Sequence, residues 1–119
     1  MQPVELLKRS WLLKYRLAPQ HPFPTPLDDC MATWNTVLKH AKALAINPQR
    51  IAIIGASAGG GLAASLTLRI RDIGGVQPIG QVLIYPMLDD RTTIRTDIDA
   101  KEHLVWNNLN PVEVIFPFD

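Results

Sequence analysis

The sequence predicts an α/β fold with a parallel sheet, on three observations. The segment Arg50-Ile51-Ala52-Ile53-Ile54 reads as a strand apolar on both faces, as in a sheet covered on both sides. Gln81-Val82-Leu83-Ile84-Tyr85 reads as a second strand, stopped by Pro86. Between them Leu62, Leu66 and Ile70 recur at helical spacing. Strand, helix and strand in that order imply parallel pairing through a right-handed crossover.

The other elements follow from the N-terminus. Trp11-Leu12-Leu13-Lys14-Tyr15 is a short apolar stretch, either a buried strand or the end of a helix running from Val4. As a strand it would bring the sheet to about three. Four prolines between Ala18 and Pro26 then forbid regular structure and stiffen an extended loop. A helix follows, with Thr25 as N-cap, Pro26 in the first helical position and Asp28 in a capping-box place. Met31, Trp34, Leu38, Ala41 and Ala45 line its apolar stripe, and Asn47-Pro48 ends it. The helix bearing Leu62 and Ile70 ends at Gly74-Gly75. Beyond Asp89 the pattern fades.

Composition narrows the function classes. Of 119 residues 47% are apolar and 19% charged, the balance of one globular domain. A net charge of +1, with Lys and Arg scattered, argues against a nucleic-acid partner. No apolar run reaches the ~18–20 residues of a membrane span. Met1 to Arg9 has no signal-peptide core, and the single Cys30 offers neither a disulfide nor a zinc pair. A cytoplasmic protein without metal or cofactor is the expectation.

The chemistry-bearing feature is Gly55-Ala56-Ser57-Ala58-Gly59. It sits after an apolar strand and before a helix, where a sharp turn lifts a serine side chain above the sheet. Gly55 and Gly59 supply space in a crowded backbone, and the Ala58 N–H would face a developing oxyanion. A competing reading takes Gly55-x-Ser57-x-x-Gly60 as a dinucleotide-binding turn. Ser57 stands where that turn needs its middle glycine, and Asp72 falls late in the helix rather than after the next strand. These two departures disfavour it.

Longer segments carry a resemblance. Tyr15-Arg16-Leu17-Ala18-Pro19-Gln20-His21-Pro22-Phe23-Pro24 and Leu27-Asp28-Asp29-Cys30 are similar to the stretch before the nucleophile in the hormone-sensitive-lipase-like group, the α/β-hydrolase fold-3 family. The run from Gly55 to Ala64 resembles its nucleophile elbow, Gln81 to Asp89 its next strand, and His103-Leu104-Val105-Trp106-Asn107 the approach to its cap region. The resemblance spans about residues 11 to 110. It implies a partial α/β-hydrolase fold and a carboxylesterase or lipase acting on small acyl esters through an acyl-serine. Ser57 would be the nucleophile and the Ala58 N–H an oxyanion donor. Ala56, Gly61 and Gln20 stand where the family commonly has Asp, Asn and Glu.

The resemblance also implies parts that this chain does not match. The family's glycine-rich oxyanion loop would precede Trp11, and its acid and histidine would follow downstream. His21 is read as a loop residue, His40 as a solvated helix residue, and His103 as part of a non-catalytic segment. Asp89 and Asp90 lie one strand too early for the acid. Residues 1–119 are read as one partial domain, with 111–119 as an unrelated tail. The alternative function is a catalytically inactive remnant that binds a partner. Uncovered sheet edges would in either case favour self-association.

Overall fold

The computed structural model describes residues 10–89. The expected helix from Val4, and the readings of Asp90, His103 and residues 111–119, lie outside them. The element order is α1 (Thr25–Lys39), a short 3-10 turn (Pro48–Arg50), β1 (Ala52–Ala56), α2 (Ala58–Ile73) and β2 (Gly80–Ile84). β1 and β2 pair in parallel, with Ala52 opposite Gly80 and Ala56 opposite Ile84. The α/β fold class and the parallel pairing are as expected.

The sheet has two strands among the described residues, one fewer than expected. Trp11 to Tyr15 has no regular structure. Its backbone finds no neighbouring strand, and the chain is anchored at Arg16 instead. The Arg16 N–H donates to the Asp29 carboxylate at 3.0 Å, and its guanidinium grips both carboxylate oxygens of Asp29. Such a two-pronged pair is directional as well as charged. It holds the Asp29 carboxyl down at about 2, through the Arg16 side chain first and its backbone N–H second.

α1 begins one residue earlier than the capping signals suggest, with Pro24 as N-cap and no side-chain cap. It also stops earlier, at Lys39. Residues 40–45 continue as turns closed by two bonds, Ile46 N–H to the Ala41 carbonyl at 3.0 Å and Ala45 N–H to that of Lys42 at 3.1 Å. This is the Schellman pattern, and it places Ala45 in the left-handed region at φ 52°. Ala41 is therefore buried as the stripe predicts, while Ala45 is exposed.

β1 starts two residues later than expected. Asn47 caps the turn after it, its side-chain oxygen accepting from the Gln49 N–H at 2.9 Å, so Pro48–Arg50 is spent on that turn. α2 ends at Gly74 as expected, where φ is 84° and the N–H donates to Ile70 at 2.9 Å.

The core lies between the helices and one face of the sheet. Leu27, Cys30 and Trp34 of α1 meet Leu66 and Ile70 of α2, with Ile51, Ile53, Leu62 and Met31 packed against them. Ile70 is 1% exposed and sits at the centre of this contact. An exposed ion pair between Arg69 and Asp28 joins the two helices. Cys30 is unpaired, and burial pushes its thiol up to about 11.

Candidate active site

A close approach of β1 to the start of α2 sets the geometry around Ser57. β1 delivers the chain to Ala56, and α2 begins at Ala58, so Ser57 alone makes the turn. Its backbone is at φ 53°, ψ −121°, a conformation costly for a residue with a Cβ. The turn is tight enough that a side chain at Gly55 is excluded. A Cβ there would overlap the Gly59 carbonyl oxygen and lie 2.6 Å from the Gly59 carbonyl carbon. Gly59 itself has open space beyond its Cα. The requirement for glycine thus rests on Gly55, and the sequence-based expectation of steric need at Gly59 is corrected.

Four hydrogen bonds hold the Ser57 peptide groups. The Ser57 N–H donates to the Ile84 carbonyl at 3.0 Å. The Ser57 carbonyl accepts from Gly60 at 3.0 Å, Gly61 at 3.2 Å and Met87 at 3.1 Å. The N–H groups of Ala58 and Gly59 have no acceptor among the described residues, so they stand open at the N-terminus of a 16-residue helix. Open donors at a helix start attract negative charge.

The Ser57 hydroxyl has no hydrogen bond to a described residue. His21 is exposed in the proline-rich loop, its N–H donating to Leu17 at 2.9 Å, and His40 is the exposed C-cap of α1. Asp89 is exposed beyond β2. No group of His, Cys, Asp and Glu among the described residues could hold a metal ion.

Sequence reasoning missed the close approach of Pro86 and Met87 to Gly60 and Gly61. A Cβ on Gly60 would come within 2.8 Å of the Pro86 Cβ, and one on Gly61 would overlap the Met87 carbonyl oxygen. The signal was present as two glycines beyond those that the serine turn itself calls for.

A strand, a one-residue turn with a left-handed serine, and a helix with open N–H donors define the class. The chain belongs to the α/β hydrolase fold family, whose model matches residues 10–113, and its homologues include hormone-sensitive-lipase-like esterases. It is 43% identical over 72 residues to Esterase LipI of Mycobacterium tuberculosis, covering 60% of this chain and 22% of that one. It is 44% identical over 78 residues to an ethyl acetate hydrolase of Pseudomonas putida, covering 63% of this chain and 24% of that protein. Among solved structures, a bacterial heroin esterase superposes with a TM-score of 0.72 at 42% identity, over 83% of this chain and 31% of that one. The chain thus spans under a third of the length of these relatives. No helix among the described residues is long and apolar enough to cross a membrane.

Proposed function

We propose that this chain carries the nucleophile elbow of a serine carboxylic-ester hydrolase, with Ser57 as nucleophile and small acyl esters as substrates. The observation that carries it is the strained Ser57 backbone between β1 and α2, beside two open N–H donors. Backbone strain of this kind persists where the surroundings impose it, and it clusters at reactive residues. The Ser57 Oγ attacks the ester carbonyl carbon, and the carbonyl π-electrons move onto its oxygen. The Ala58 N–H and the helix start stabilise that oxyanion. Collapse breaks the bond to the alcohol oxygen, which leaves with a proton, and water then releases the acid from the acyl-serine. The hydroxyl proton needs a base, which we place outside residues 10–89. No cofactor enters this scheme. The unpaired, buried Cys30 supports a reducing, cytoplasmic setting.

The experiment is release of nitrophenol from a short-chain nitrophenyl ester by the chain and by Ser57→Ala. Slow release that depends on Ser57 is expected, since oxyanion stabilisation persists without the full set of catalytic groups. Equal release by both proteins would sink the proposal.

The partner-binding reading has its own support in the outer face of the sheet. Ile54, Val82 and Ile84 lie there side by side and are 52%, 50% and 42% exposed. An apolar face of that kind favours association of the chain.

A further inference from the structure

We propose that Tyr85–Met87, the chain leaving β2, is a strap that fixes the backbone conformation of Ser57, and that Gly60 and Gly61 are the positioning residues that admit it. Its consequence for reactivity rests on the reading of Ser57 as nucleophile; the strap itself does not.

Three observations converge on it. The Met87 N–H donates to the Ser57 carbonyl at 3.1 Å, so the strap grips the strained residue directly. Tyr85, at φ 35°, joins Ser57 and Ala45 as a non-glycine residue with positive φ, and it stands where the chain must turn from β2 back over the elbow. Pro86 and Met87 then lie where side chains on Gly60 and Gly61 would stand. A left-handed serine and a left-handed tyrosine each carry strain, and their surroundings must over-determine both. The strap supplies that constraint from outside α2, while Gly60 and Gly61 N–H groups supply it from within. An ordinary helical glycine explains neither the Met87 bond nor the Tyr85 backbone, because alanine would fill a helical position better.

The two readings predict opposite outcomes for Gly61→Ala in the full 119-residue chain. Backbone amide exchange is read by NMR, melting temperature by circular dichroism, and Ser57 reactivity by the rate of labelling with a fluorophosphonate. The strap predicts that the Met87 amide is protected in the unaltered protein and exchanges at least roughly tenfold faster in Gly61→Ala. It also predicts slower labelling of Ser57. Gly59→Ala, whose added Cβ meets nothing, leaves Met87 exchange where it was. A raised melting temperature in Gly61→Ala with unchanged Met87 exchange would overturn the strap. So would a Met87 amide that exchanges in the unaltered chain at the rate of an unfolded one, a result that stands even when Gly61→Ala fails to fold. Lost Met87 protection with an unchanged labelling rate would overturn the positioning role. Absence of labelling in both proteins would reject the nucleophile reading, and Met87 exchange would still decide the strap.

Discussion

Ser57 holds a backbone conformation that a serine side chain opposes, and that conflict is measurable. At φ 53°, ψ −121° a glycine is comfortable where alanine is not. Ser57→Gly is expected to be more stable to denaturant than Ser57→Ala by about 1 kcal/mol, although both remove the hydroxyl. Equal stabilities would show that the turn relaxes around Ser57 rather than constraining it. At this scale the sequence was informative about Ser57, Ala58 and Gly55, because a strand, a small-residue turn and a helix leave few arrangements. It was silent on the contact of Gly61 with Met87, residues that lie 26 positions apart and meet only once β2 is paired with β1.

The elements were legible where a local signal decides them and shifted where a contact across the fold does. α2 and its glycine end read directly, since the stripe and Gly74 lie within one segment. Trp11 to Tyr15 is apolar enough to be a strand, yet a strand exists only with a partner, and Arg16 docks that segment on Asp29 instead. The docking is acid-sensitive. The folded-state carboxyl of Asp29 titrates at about 2, below the ~3.9 of an unfolded aspartate. Its contribution is complete above pH ~4 and is lost as the pH falls through about 2. The melting-temperature gap between the native chain and Asp29→Asn should therefore close over that interval, and a gap independent of pH would contradict the assignment. The Schellman turn after α1 carries a second test. Ala45 takes the left-handed position that glycine prefers, so Ala45→Gly is expected to stabilise the chain by about 1 kcal/mol in urea unfolding.

At the scale of the whole molecule, α1, α2 and one sheet face enclose a core while the other sheet face stays apolar and open. Along β1 the residues alternate, with Ile53 and Gly55 toward α2 and Ala52, Ile54 and Ala56 outward. The sequence predicted a first strand apolar on both faces, and β1 is apolar on both. Coverage of the second face could not be read from it, because that depends on elements beyond α1 and α2. Sedimentation of the chain is expected to show concentration-dependent association, reduced in Val82→Lys, which charges the centre of that face. Unchanged association in the variant would place the contact elsewhere.

The proposed role of Ser57 as a nucleophile is checked by treating the chain and Ser57→Ala with a fluorophosphonate and locating the adduct by peptide mass spectrometry. A slow adduct on Ser57 that Ser57→Ala lacks is expected. An adduct on another residue, equal in both proteins, would contradict it.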